Sequence, residues 1–156
     1  LDEGSNPPVN QVLDFDARGI HVGDAAQTQL GSSIRYEPIK GMYLNLRQTY
    51  FGKYFSQFTP ESTTDDEGNV IDSWKRPNFN LFDLHAGYGF SLEKLNDVRL
   101  DIRFSLMNIF DTKYIWDATN NDSFSPYSQY QSFDSRSATV FFGFGRSFTT
   151  SVQVSF

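Results

Sequence analysis

Residues 98–110 read Val-Arg-Leu-Asp-Ile-Arg-Phe-Ser-Leu-Met-Asn-Ile-Phe. Taken in steps of two, Val98, Leu100, Ile102, Phe104 and Leu106 form one apolar set, while Arg99, Asp101, Arg103 and Ser105 form a polar one. Successive side chains of a β-strand point to opposite faces, so this stretch makes a strand with one apolar and one charged face. Helical spacing would scatter the same residues around the whole circumference. Asp101 between Arg99 and Arg103 reads as a ladder of alternating charge along the polar face.

The same period recurs on both sides of this stretch. Phe82, Leu84, Ala86, Tyr88, Phe90 and Leu92 alternate with Asp83, His85, Gly87, Gly89 and Ser91. Met42, Leu44 and Leu46 alternate with Tyr43, Asn45 and Arg47, and Leu30, Ile34 and Tyr36 mark a weaker version. At the C-terminus, Phe148, Val152, Val154 and Phe156 alternate with Ser147, Thr149, Ser151, Gln153 and Ser155. Strands are therefore expected near 27–37, 42–58, 79–92, 98–110 and 137–156. The last is read as one long strand because Val140, Phe142, Phe144, Phe148 and Val152 stay in phase across Gly145-Arg146-Ser147. A hairpin turn at those three residues, giving six strands, is the alternative.

Composition supports the alternation. Aromatics are 17% of the 156 residues, with 16 Phe and 8 Tyr, yet mean hydropathy is −0.46. Rings and low hydropathy coexist when apolar and polar residues alternate, and disordered chains are depleted in rings. No apolar run approaches the roughly 18 residues of a membrane-spanning helix, an absence that leaves β-barrels open. Cys is absent, which removes disulfides and Cys-based metal sites or nucleophiles. The net charge of −6 argues against nucleic acid as a partner. The start, Leu1 to Pro8, is polar and Pro-rich, so no signal peptide is read there and the chain is expected to be a fragment.

Connections alternate in length. Pro38-Ile39-Lys40-Gly41 is a tight turn and Glu93–Asp97 another short link, whereas 59–77 and 111–135 are long and polar. Transmembrane barrels segregate short periplasmic turns from long extracellular loops, and their strands need roughly 9–11 residues. The expectation is an all-β, antiparallel transmembrane barrel segment of about five strands. Such a number cannot close, since the smallest barrels have about eight, so the chain is expected either to assemble with others or to be a fragment, which the missing signal sequence favours.

Several segments carry a family resemblance over roughly residues 20–156. His21-Val22-Gly23-Asp24-Ala25-Ala26-Gln27-Thr28 looks like the stretch entering a late strand of TonB-dependent outer-membrane receptors. Asn108-Ile109-Phe110-Asp111-Thr112-Lys113-Tyr114 is similar to the Asn-Leu-Phe-Asp-x-x-Tyr motif of that family, with Ile109 in place of the usual Leu. Gly143-Phe144-Gly145-Arg146-Ser147-Phe148, ahead of a strand ending in Phe156, resembles their final strand, and 77–84 their pre-strand segment. The resemblance implies about the last five strands of a 22-stranded barrel, with the plug domain outside this sequence and the C-terminus at the periplasmic side. It implies import of a scarce ligand (siderophore, cobalamin, glycan or peptide) across the outer membrane of a Gram-negative bacterium. The implied partners are the rest of the barrel and its plug, the inner-membrane TonB complex through the missing N-terminal part, outer-membrane lipid and lipopolysaccharide, and the barrel-assembly machinery. The competing readings are a small structural or adhesive outer-membrane barrel and a soluble β-rich carbohydrate-binding module.

No enzyme motif, cofactor site or metal site is read in the sequence, and the chain is expected not to be an enzyme. His21 and His85 lack companions at metal or triad spacing, and His85 falls on the polar side of its strand. Asp65-Asp66-Glu67-Gly68-Asn69 lacks the ligand alternation of an EF-hand and reads as a solvated loop tip. Asn121-Asp122-Ser123 matches a glycosylation sequon common by chance. Asn108, Phe110, Asp111 and Tyr114 read as structural: Asn108 and Asp111 as caps of a strand end, the rings as girdle residues. Phe156 is the assembly-signal candidate and an interfacial ring. Trp74, Trp116, Tyr127 and Tyr130 are the loop residues that could meet a ligand, against the plainer reading that they pack their loops together.

Overall fold

A computed structural model describes residues 18–56, 72–92, 98–120, 135–136 and 138–156. All regular elements among them are strands: β1 (Ala26–Tyr36), β2 (Met42–Phe55), β3 (Lys75–Arg76), β4 (Phe79–Leu92), β5 (Val98–Met107), β6 (Ile115–Asn120), β7 (Ala138–Phe142) and β8 (Ser147–Ser155). The main sheet is antiparallel in the order β1-β2-β4-β5-β8, with β3 added beside β2. A second, two-stranded sheet is made of β6 and β7. The chain is all-β, as the alternation implies.

The turn between β1 and β2 is tight because Gly41 adopts φ 85° and Met42 N–H donates to the Ile39 carbonyl at 3.1 Å. Left-handed φ there costs a glycine nothing. The link over 93–97, the tip at 65–69 and the sequon at 121–123 lie outside the described residues.

Register puts the odd-numbered residues of all five main strands on one face. Arg35, Asn45, His85, Ser105 and Thr149 follow one another across the sheet, as do Tyr43, Gly87, Arg103 and Ser151 from β2 to β8. The even-numbered face is apolar and carries Ile34, Leu46, Tyr88, Ile102, Phe104, Phe148, Val152 and Val154, all exposed. Ile34 is 71% exposed and Phe148 73%. The sheet is thus a single layer, with no described element packed on its apolar side. The few buried apolar residues, Tyr54, Phe55, Phe79 and Ala118, gather instead at the end where β2 and β4 meet β3 and β6.

Three expectations are corrected. The single strand over 137–156 is two, β7 and β8, separated by 143–146. They do not form the alternative hairpin either, since β7 pairs with β6 and β8 with β5. The polar stretch 111–135 contains β6, and 59–77 contains β3. The strand expected over 98–110 ends at Met107. One cause underlies the first and last corrections. β5–β6 and β8–β7 are two arms of one long antiparallel ladder, interrupted where 108–114 on one arm faces only 143–146 on the other. The longer side turns out of the ladder, so both arms break there.

Candidate functional site at the long-loop end

Chemistry-bearing side chains concentrate at this end, in two adjoining groups. The first is the interruption itself. Asn108 and Asp111 adopt φ of 49° and 52°, which lets the chain turn out of β5 within four residues. Asn and Asp accept this conformation better than other chiral residues because a short polar side chain bonds locally. Asn108 accepts from Thr112 N–H at 2.9 Å and donates through Nδ2 to the carbonyls of Thr112 (3.0 Å) and Phe144 (3.2 Å). Asp111 Oδ1 accepts from Arg146 N–H at 2.8 Å, and Asp83 Oδ1 on β4 accepts from Asn108 N–H at 2.9 Å. Three carboxamide or carboxylate side chains therefore take the places that ladder partners would occupy. Buried backbone groups seldom go unpaired, and here the side chains prevent it.

The rings of this motif divide between the faces. Phe110 meets Phe82 edge-on at 5.2 Å, whereas Tyr114 stacks on Phe79 at 4.5 Å, and Phe79 stacks on Phe51 at 4.8 Å. Gly143 lies under the Tyr114 ring, in space that a Cβ would take. Asn108, Phe110, Asp111 and Tyr114 all therefore serve the break between strands.

The second group centres on Arg76, whose side chain is fully buried. Its guanidinium lies 3.6 Å over the Tyr54 ring and donates to the carbonyls of Phe55, at 2.9 Å, and Trp116. Asp24 and Asp117 stand at 3.8 and 3.6 Å. Burial and the neighbouring Asp117 carboxylate raise the Asp24 carboxyl above its usual value, against the opposing pull of Arg76. Beside it, the His21 ring stacks flat on Phe55 at 3.9 Å and its Nδ1 meets Asp72 Oδ2 at 2.5 Å. Burial acts to raise the Asp72 carboxyl, but hydrogen bonds from the His21 backbone and ring outweigh it and hold the carboxyl below its usual value. Arg76 and His21 thus join four segments: the approach to β1, the end of β2, β3 and β6.

The ligand candidates are placed as follows. Trp116 is exposed, with Tyr114 edge-on at 6.5 Å, and Trp74 accepts at its carbonyl from Ser56 N–H at 2.9 Å. The two tryptophans are brought to one neighbourhood by the backbone around Arg76. Tyr127 and Tyr130 lie outside the described residues. Phe156 follows β8 at the opposite, short-turn end of the sheet, exposed. Comparison with family models, with curated proteins and with solved structures finds no match. Among the described residues no three of His, Cys, Asp or Glu are grouped to hold a metal ion. His85 bonds Ser105 at 2.9 Å across the β4–β5 pair.

Sequence reading missed the Arg76 and His21 groups. Arg76 stands in a polar stretch beside Pro77, and nothing in its neighbours forecasts burial. His21 and Asp72 are 51 residues apart, and only the pairing of β2 with β3 brings them together.

Proposed function

We propose that this sheet is part of the wall of a transmembrane β-barrel in an outer membrane, in a transporter of the TonB-dependent kind. The observation that carries the reading is the two-faced single layer. Its apolar face carries exposed apolar residues on every main strand, and its polar face carries Arg35, Arg47, Arg99 and Arg103. A large exposed apolar surface calls for an apolar environment, and in a barrel wall the lipid supplies it while water or polar chain fills the interior.

Dimensions agree. On the apolar face, positions 28–36, 42–50, 82–90, 98–106 and 148–156 each span eight steps. At about 3.3 Å per residue and the usual tilt this rises roughly 20 Å, to which end rings add, against an apolar band of roughly 25 Å. Tyr36, Phe90 and Phe156 lie toward the short-turn end of this band, with Tyr50, Phe82 and Phe148 toward the other. Two belts of amphipathic or aromatic rings are what membrane interfaces favour. Transport rests on the motif resemblance, centred on Asn108–Tyr114. The lumen-side wall and the long-loop end are this chain's contribution to it.

Membrane fractionation of the full-length polypeptide, with cross-linking to TonB, tests both parts. Recovery in the outer membrane together with a TonB cross-link is the expected result. Recovery in the soluble fraction would sink the barrel. An outer-membrane protein that never cross-links to TonB would leave a structural or adhesive barrel instead.

A further inference from the structure

We propose that the short-turn end of the polar face holds a binding subsite for a monocarboxylate. A cavity of about 260 Å³ opens there. Gly87 and Gly89 of β4 line it between β2 and β5, with the Tyr43 ring and the Asp101 carboxylate in the space that their side chains would take. Register sets Gly87 opposite Tyr43 on one side and Arg103 on the other, and Gly89 opposite Asp101. The Tyr43 ring leans over Gly87, and the Arg35 guanidinium stacks on that ring at 4.2 Å.

Charge selects the ligand. Arg35 is engaged by Glu37 at 2.8 Å, and Arg99 holds Asp101 through two bonds of 2.9 and 3.1 Å. Arg103, among the described residues, donates no hydrogen bond and has no carboxylate within ion-pair distance. Three guanidiniums against two carboxylates leave one positive charge, and Arg103, which feels Asp101 only at longer range, is the fork among the described residues with no close pair. A guanidinium fork bonds both oxygens of a carboxylate side by side. A monoanion neutralises the cavity, whereas a doubly charged phosphate would also meet Asp101 and Glu37. The barrel reading decides only which compartment supplies the carboxylate. In a lumen it comes from a solute, or from an acidic side chain of polypeptide lying against the sheet.

The experiment uses the full-length polypeptide in detergent micelles, with an environment-sensitive fluorophore at Ser151→Cys, beside Arg103 across the β5–β8 pair. Propionate, titrated against chloride at constant ionic strength, is expected to change the emission saturably, and phosphate to do no better than chloride. Arg103→Gln should raise the midpoint about tenfold or more, the loss of one charge-assisted pair. If an acidic side chain already fills the subsite, propionate is silent and Arg103→Gln instead exposes the fluorophore to iodide quenching. That result keeps the carboxylate and assigns its source. Emission that follows chloride as well as propionate, or that responds to neither propionate nor Arg103→Gln, overturns the subsite. A fluorophore at Ile102→Cys, on the apolar face, separates the two readings and reports whether Arg103→Gln has folded. Quenching there by spin-labelled lipid keeps the barrel, and quenching by aqueous iodide removes the barrel while leaving the titration to stand.

Discussion

The guanidinium of Arg76 lies over the Tyr54 ring at 3.6 Å with its side chain wholly out of solvent, so one buried cation ties β3 to the end of β2. Its hydrogen bonds to the Phe55 and Trp116 carbonyls extend that tie to β6. Lysine could supply the charge but neither the fork nor the stacking plane. Arg76→Lys and Arg76→Ala are both expected to destabilise this end, the latter by about 2–4 kcal/mol, since it empties a buried volume and leaves two carbonyls without their donor. Amide hydrogen exchange should rise at Ser56 and in β6 and stay unchanged in the middle of β4 and β5. Unchanged protection in β6 would mean that Arg76 does not hold the second sheet.

Asn108 combines a left-handed backbone with three side-chain hydrogen bonds, and two substitutions separate these contributions. Asn108→Gly keeps the conformation and loses the bonds. Asn108→Ala loses both, and left-handed φ adds about 1–2 kcal/mol for a residue with a Cβ. Chemical unfolding should therefore rank Asn108→Ala below Asn108→Gly, and both below the native protein. Equal stability of the two variants would show that the backbone conformation is relaxed in the alanine form.

The contrast between these two residues explains what the sequence makes legible. Alternation in Val98–Leu106 is a local property, since each side chain's face follows from its own parity, and the strand can be read without knowing its neighbour. Asn108 and Asp111 belong to a motif whose turn chemistry is also local. The break at 143–146 is different. Its cause is the longer segment 108–114 opposite, and its bonding partners are side chains 35 and 36 residues away, so the in-phase Val140, Phe142 and Phe144 hide it. Arg76 is harder still. Arginine is rarely buried, and the ring and carbonyls that make burial tolerable come from β2 and β6.

Acidification should act on the long-loop end through Asp72. Its carboxyl is held below its ordinary 3.8 in the fold by bonds from His21. A carboxyl depressed in the folded state adds stability above its unfolded value, and that stability is lost as pH falls through the folded value. Asp24, raised above 3.8, has the opposite sign: it favours the folded form as pH falls and loses that contribution as pH rises through its folded value. Protection factors at the His21 and Ser73 amides, both donors to Asp72, should drop as the pH falls below the ordinary 3.8 and through the lower folded value. Asp72→Asn should flatten that drop. A drop of the same size in the variant would assign it to other carboxylates.

Phe104 and Arg103 are adjacent in β5 and face opposite sides, which makes them a direct test of what each face touches. Phe104 stacks on Phe148 at 6.5 Å near the middle of the apolar face. If lipid lies there, Phe104→Arg places a guanidinium in hydrocarbon and costs roughly 2–4 kcal/mol near mid-bilayer. Arg103→Gln stays on the polar face and should change stability by no more than about 0.5 kcal/mol, as a solvated substitution does. Folding titrations into lipid vesicles measure both. The difference must come from what each face touches, because the two residues are adjacent in one strand and at nearly the same height. Equal tolerance at the two positions would mean that no lipid faces this sheet, and the exposed apolar side would then need a protein cover.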